Sequence, residues 1–449
     1  MFPHHRRRRP LGLAMGLTAA SAVLALTAAC SGASDDPPAD STPDADATPS
    51  GAITVLTWRT DLVEDGTFDE YVAQFKATYP DVTDVKIEGI TDYEGEVKTR
   101  MNTDNYGDVL AIPGSVTPDQ LGDFFEPLGD YDEMAKEYRW ITDKTFEGKS
   151  YGIPVVGNVQ GIVYNTKVWE AAGVTDFPTT PEEFLTDLQA IKDAGIKVAP
   201  LYTNYKDSWP LTQWDGARGA VTANPDYVNE MTATDTPWTE DSDSGVIDGL
   251  IYDVVAKGLT EADPTTTNWE QSKQLLGTGE IATMVLGSWA IPQMQAAAEA
   301  AGASADDIGY MPFPAQVDGT FHAVAGGDYN LGINVHSKNK VTARAWIDWF
   351  NHESGFSESQ VGLSPLIDGE VPAALQGFVD EVELITLNPA PAGKESLFAD
   401  IDTASGIVTT DPKYRQKIVD DARSGARTKQ EIFDDLNAAW ADGRAEAGA

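Results

Sequence analysis

The sequence predicts an α/β protein built in two domains, and three features predict it. Short apolar runs of strand length alternate with segments whose apolar residues recur at helical spacing. Three of those helical segments open on Thr with Glu or Gln three residues on, two of them with Pro next, which are helix-start signals. The chain has 449 residues, 41% of them hydrophobic. That is too long for one ordinary core, so two domains are expected.

In chain order, the first segment stands apart from the rest. Arg6 to Arg9 form a basic stretch and Leu11 to Ala29 an apolar, Ala-rich one, which together read as a secretory signal over residues 1–29. It ends in LTAACSG, and Cys30 is the single cysteine of the chain. Ala28-Ala29-Cys30 resembles a bacterial lipoprotein signal, which implies that the Cys30 thiol receives lipid and becomes the new N-terminus. Thr27 stands where that pattern usually has Leu. An uncleaved anchor with an incidental cysteine is the alternative, and the residues after the arginines fit a twin-arginine signal poorly. Cleavage before Cys30 would remove four arginines and no acid, taking the formal net charge from −40 to −44. It would leave no cysteine for disulfides or thiolate metal sites. Residues 30–50, rich in Pro, Ser, Asp and Ala with no large apolar side chain, bury nothing and are expected to be a disordered acidic tether.

Folded sequence begins near Ile53. ITVLTW is a buried-strand run, FDEYVAQFKATYP places Phe68, Tyr71, Val72 and Phe75 on one helix face, and VKIEGI alternates as a strand. DVLAIPGS is a further buried strand running into a turn, with Asp108 in a structural role at its start. Thr117-Pro118-Asp119-Gln120 then starts a helix. YGIPVVGNVQGIVYN reads as two short strands around Gly157-Asn158. Thr180-Pro181-Glu182-Glu183 and Thr267-Asn268-Trp269-Glu270 are further capping boxes, the second leading to Gly277. GEIATMVLGSWAIPQM reads as a strand from Ile281 to Leu286, a Gly287-Ser288 turn and a helix beginning at Trp289. Ser337 caps a helix carrying Trp346, Ile347, Trp349 and Phe350, and the chain ends on another helix.

A net charge of −40 disfavours nucleic acid and anionic lipid as partners. His322, His336 and His352 are scattered, so a zinc hydrolase lacks its ligands. EGKS at Glu147–Ser150 mimics the end of a phosphate-binding loop, but Asp143 stands where that loop needs Gly. No G-x-G-x-x-G follows a strand and no G-x-S-x-G is present. These readings assign no catalytic residue, metal or cofactor, although a catalytic carboxylate pair on separate elements stays open. What the sequence does supply is indoles near strand ends and in loops: Trp58, Trp209, Trp214, Trp238, Trp269 and Trp289. Sugar rings present apolar C–H faces that a rigid indole covers at low entropic loss. In open α/β sheets ligands bind beyond the carboxyl ends of the strands, which singles out Trp289 and Trp58. Trp209 and Trp214 bracket an irregular stretch and suit either ligand or core. Trp346 and Trp349 sit at helix-core spacing.

The order of segments resembles the extracytoplasmic solute-binding proteins of ABC importers, in the carbohydrate-binding family that includes maltose-binding protein. FKATYPDVTDVKIE, DVLAIPGSVTPDQLGDFFEPLGD, KSYGIPVVGNVQGIVYNTKVWEAAGV, LLGTGEIATMVLGSWAIPQM and AGGDYNLGINVHSKNKVTARAWIDWF carry the likeness, which covers most of the chain from Ile53 onward. The resemblance implies a two-lobed, type II periplasmic-binding-protein-like fold with ligand in the interlobe cleft. Lobe 1 would take residues 51–157 plus 322–375, and lobe 2 residues 158–321 plus 376–449. It implies that Trp289 is a stacking platform, that Gly327 and Asp328 with Tyr329 belong to a ligand-facing turn, and that Asn158 lies beside the cleft. Trp58, Arg59 and Asp61 would follow the first strand as contacts, and Gly114 and Ser115 the next one. The function implied is capture of a sugar or oligosaccharide and its delivery to an ABC importer permease, by a monomer anchored through lipid to the outer face of the cell membrane and without catalysis. A binder of a non-sugar solute such as a peptide, polyamine or metal on the same fold, or a glycoside-active enzyme, is the alternative.

Overall fold

A computed structural model describes residues 48–195 and 197–449. The expected signal, Cys30 and the tether up to residue 47 lie outside the described residues. The strands that position the site are, in chain order, β1 (Gly51–Thr57), β2 (Val82–Gly89), β3 (Val109–Ala111), β4 (Phe125–Glu126), β5 (Val156–Asn165), β6 (Thr283–Gly287), β7 (Ile308–Met311), β8 (Thr320–Asp328), β9 (Leu331–Asn334) and β10 (Val382–Ile385). The helices used below are α1 (Thr67–Thr78), α2 (Pro181–Asp193), α3 (Asp243–Ala256), α4 (Trp269–Gly277), α5 (Ala290–Ala300), α6 (Lys340–His352), α7 (Lys413–Ser424) and α8 (Lys429–Ala447).

One sheet runs β2-β1-β3-β9-β4, with β1 parallel to β2 and β3, and β9 antiparallel to β3 and β4. Apolar burial holds it: Leu56, Phe75, Leu110, Phe125, Trp346 and Trp349 close a core drawn from residues 53–156 and 331–356. Fully burying each such side chain stabilises by roughly 1.5–3 kcal/mol. Asp108 plays the expected structural part, accepting from Thr54 N–H at 2.7 Å and from Ser337 Oγ at 2.5 Å. A second sheet runs β7-β5-β8, with β6 beside β5 and β10 parallel to β8, and a small third one pairs residues 129–130, 149–150 and 145–146. The main core of the second sheet joins residues 162–313 to 401–440 through Phe184, Leu188, Trp238, Ile251 and Trp440. There Arg415, sealed between α7 and α3, donates to Asp248 at 2.9 Å and to Asp215 at 2.6 Å.

Several starts and stops differ from the sequence reading. The capping box at Thr117 forms, but the helix runs only to Phe124, where the extended residue Phe125 begins β4. Asn268, one residue beyond Thr267, caps α4, because the Thr267 hydroxyl is taken by Lys206 N–H and Pro264 C=O. Asn339 rather than Ser337 precedes α6, since the Ser337 hydroxyl is engaged by Asp108. The two strands expected around Gly157-Asn158 are one unbroken ten-residue strand, β5.

That last difference has a steric cause. Gly157 stays inside the ladder, pairing with Gly327 of β8, and the Trp140 ring occupies the place of its missing side chain. A Cβ there would lie 2.1 Å from Trp140 Cζ3, and one on Gly327 would lie 3.0 Å from Trp140 Cβ. Two glycines therefore let one indole cover the point where β5 and β8 pass each other. Gly157→Ala is expected to destabilise the protein by about 1–3 kcal/mol through overpacking, read as a lower denaturant midpoint, with Trp140→Leu in the same chain recovering part of the loss.

Candidate functional site

The site is assembled along β5. Its Val156 pairs with Asp328, and the neighbouring Asn158 donates from Nδ2 to the Asp328 carboxylate at 3.0 Å. Asn158 is 6% exposed, and its Oδ1 has no partner among the described residues. One residue on, Val159 N–H donates to Ser288 Oγ at 3.2 Å, and Ser288 N–H returns to Val159 C=O at 2.9 Å. Gln160 then pairs with Gly287 of β6. Three consecutive residues of one strand thus fix the Asp328 turn on one side and the Gly287-Ser288 turn on the other.

Each turn carries an aromatic residue. Tyr329 follows Asp328 with φ 50°, a left-handed conformation that a bulky residue adopts only where its surroundings enforce it. Its ring lies flat on Trp58, with centroids 3.6 Å apart and planes 10° from parallel, and the edge of Tyr93 meets Trp58 at 6.2 Å. Tyr329 is nevertheless 38% exposed. Trp289 follows Ser288 at the start of α5 and is half-buried. Its indole folds back over Gly287, where a Cβ would lie 2.7 Å from Cδ1 and Nε1. The turn glycine is what lets so large a residue sit at that strand end. Trp209 and Trp269 complete a cluster, each 5.8 Å from Trp289 and 4.8 Å from each other. Lys273 covers the Trp269 ring at 5.0 Å.

Electrostatics separates the polar candidates. Burial pushes the Asp328 carboxyl up to about 6, against the downward pull of the Tyr329 N–H and Asn158. Burial, with the charges of Asp328 and Glu94, pushes the Tyr329 phenol up to about 12. Arg59 donates to both carboxylate oxygens of Asp61, at 2.8 and 2.6 Å, and to Gln360. That bond holds the Asp61 carboxyl below its ordinary value, so the two side chains neutralise each other. Gly114 donates to the Glu94 carboxylate at 3.1 Å, with Ser115 exposed beside it. Among the described residues no group of three or more His, Cys, Asp and Glu is placed to hold a metal ion, and no helix is long and apolar enough to cross a membrane.

The structure therefore brings Trp58, Asn158, Gly327, Asp328 and Tyr329 together and ties Trp289 and Trp209 to them through β5. Trp214 does not join them. It is 3% exposed, and its ring packs edge-on against Phe313 at 6.3 Å inside a core. Trp238 is likewise internal, against Trp440. Trp269 and Glu94 were not placed in the site by sequence reasoning. For Trp269 a signal existed: like Trp289, it is an indole at the first turn of a helix. For Glu94 there was none, because its neighbours are set by packing.

The profile of the bacterial extracellular solute-binding protein family matches residues 59–354. A solved manno-oligosaccharide specific solute binding protein of Bifidobacterium animalis subsp. lactis, in complex with mannotriose, is 36% identical with a TM-score of 0.81, covering 89% of this chain and 95% of that one. A binding protein of an ABC transporter from the same organism, in complex with mannobiose, is 37% identical with a TM-score of 0.80, covering 88% and 95%. The diacetylchitobiose binding protein DasA of Streptomyces coelicolor is 24% identical over 357 residues, 76% of this chain and 77% of that protein.

Because the Asn158 amide favours the ionised form of Asp328, Asn158→Leu is expected to raise that carboxyl above its value of about 6. Titrating the carboxyl carbon resonance of Asp328 by NMR reads the shift, and a fall would show that the amide does not act on the charge.

Proposed function

The chain belongs to the bacterial extracellular solute-binding protein family, and from that premise we propose how it holds its solute. The fold is the two-lobed type II arrangement of periplasmic solute-binding proteins. The protein captures a sugar or oligosaccharide outside the cytoplasm for an ABC importer. The mannotriose and mannobiose complexes of its relatives make a neutral manno-oligosaccharide the ligand class to test first.

One observation carries the residue assignment: the unbroken line Trp58–Tyr329–Asp328–Asn158–Val159–Ser288–Trp289, linked at each step by ring contact, chain connectivity or hydrogen bond. In this reading residues 51–157 plus 322–375 make lobe 1, and residues 158–321 plus 376–449 make lobe 2. The cleft runs along β5. Trp289, flanked by Trp209 and Trp269, stacks on an apolar sugar face from lobe 2. Trp58 and Tyr329 do so from lobe 1, and Asp328 with Asn158 Oδ1 accepts from hydroxyls between them. Gly114 and Ser115 bring backbone and hydroxyl groups to the rim, and Arg59 and Asp61 stiffen it. Closure follows when ligand contacts favour the closed arrangement over the open one. The closed form, a monomer, docks on the permease, and lipid on Cys30 holds it at the outer face of the membrane through the acidic tether. No covalent step on the ligand is involved.

A thermal-shift screen of neutral oligosaccharides, amino acids, polyamines and metals, followed by calorimetry, tests the reading. Trp289→Ala is expected to weaken sugar binding by roughly 1–3 kcal/mol with the fold intact; an unchanged affinity would remove Trp289 from the site. Affinity is also expected to fall as pH drops through about 6, where Asp328 gains its proton and loses acceptor strength. That fall should be absent in Asp328→Asn.

A further inference from the structure

A small cavity of about 10 Å³ is lined by Gln160, Gln213, Gly216, Val285, Phe313 and His322. A space of that size holds one water molecule or one hydroxyl, and it is filled only where polar groups face it.

His322 supplies the first such group. It is 8% exposed, and its buried Nδ1 has no partner among the described residues. The other ring nitrogen, Nε2, lies 3.4 Å from the carboxylate of Glu383, its partner across the β8–β10 pairing. A proton on Nε2 suits that carboxylate, which leaves Nδ1 a lone pair and the part of an acceptor. Gln160 and Gln213 are half-buried, and neither side chain makes a hydrogen bond among the described residues. Three side chains with unused hydrogen-bonding groups thus line one small space. Leaving such groups unpaired is unfavourable, so the space suits an occupant that both donates and accepts.

The cavity adjoins the residues assigned to the ligand. Alternate residues of a strand share a face, so Gln160 lies on the same face of β5 as Asn158, and His322 on the same face of β8 as Gly326 and Asp328. That face is open at Gly326, where a Cβ would meet nothing within 4 Å. Gln160 reaches in two directions. A Cβ on Gly287 would lie 2.7 Å from the Trp289 indole and 3.4 Å from Gln160 Nε2. One on Gly216, in the cavity wall, would lie 2.4 Å from Gln160 Cγ. The Gln160 side chain therefore stands between the Trp289 ring and the cavity.

We propose that this cavity is a socket for one hydroxyl of a bound neutral sugar, filled by a water molecule when the sugar is absent. The proposal rests on the sugar-binding reading and adds to it a contact beside Trp289. The hydroxyl donates its hydrogen to His322 Nδ1, and an amide N–H of Gln160 or Gln213 donates to its oxygen. Donor set and size fix the class. A hydroxyl does both at once, as water does. A carboxylate has no hydrogen for Nδ1 and is repelled by Glu383 behind the ring, and an acetamido group exceeds the space.

Two substitutions at His322 separate this role from a structural one. Asn places its amide near the position of Nδ1, and Gln places its amide near that of Nε2. The socket therefore requires His322→Asn to bind mannotriose within about threefold of the unaltered protein. It requires His322→Gln, which keeps a donor for Glu383, to bind about tenfold more weakly. A residue that acted only by joining β8 to β10 through Glu383 would give the reverse order. Calorimetry reads the affinities, and thermal melting checks that both variants are folded. A series of mannobiosides, each lacking one hydroxyl, identifies the guest. One member should bind the unaltered protein about tenfold more weakly and lose nothing further in His322→Gln. Equal mannotriose affinities in the two variants, or the reverse order, with Trp289→Ala still impaired, overturn the socket and leave sugar binding standing. A further loss of about tenfold for every member of the series overturns the hydroxyl as guest. Absence of binding to any neutral oligosaccharide by the unaltered protein overturns both readings.

Discussion

The structure depends on β5 running unbroken through the centre of the molecule. Ten residues of extended chain span roughly 33 Å, and β5 uses that length to touch β8, β6 and β7 in turn. At Asn158 and Val159 it is fastened on opposite sides by side chains, Asp328 on one and Ser288 on the other. A small cluster of Trp140, Val159, Ile291, Ala325, Leu375 and Phe378 packs around this point, between the two larger cores. The Asp328 and Ser288 turns are therefore anchored where the chain passes between those two larger cores.

The aromatic residues illustrate how backbone geometry delivers a flat surface. Among the described residues, neither Tyr329 nor Trp289 is held by a hydrogen bond of its own side chain. Tyr329 is held by a left-handed backbone and the Trp58 face. Trp289 is held by the space over Gly287 and by two further indoles. Rings fixed in this way keep their polar edges free, which suits a surface that must contact C–H faces while nearby groups reach hydroxyls.

Much of this was legible in the sequence, and the gaps have physical causes. Local signals worked where one element decides the outcome: Trp346 and Trp349 sit in the core as helical spacing requires, and Trp289 sits at the end of a strand, beside the crossing strand. They failed where two distant segments meet. Gly157 looked like a break in a strand because the ring that fills its missing side chain, Trp140, lies far enough back in sequence to be invisible. Trp214 looked equal to Trp209, yet the short helix containing both turns one indole toward Trp289 and the other toward Phe313. Asn268 took the cap from Thr267 because Lys206, more than sixty residues earlier, had claimed the Thr267 hydroxyl. The polar neighbours of Tyr329 come from four separate segments, and no spacing rule joins them.

The charge of the chain bears on how a neutral ligand is held. A formal charge of −40 steers ions over a Debye length of about 8 Å at physiological salt, but a neutral sugar feels almost none of that field. Affinity for such a ligand has to arise at contact, from apolar faces and from hydrogen-bonding groups kept where water would otherwise satisfy them. Those are the groups found along β5: stacked or clustered rings, a carboxyl whose burial already works against its charge, and amide oxygens of Asn158 and Asn330 with no partner among the described residues. An acidic surface and a ligand cleft that depends on contact are therefore compatible, since each acts at a distance where the other does not.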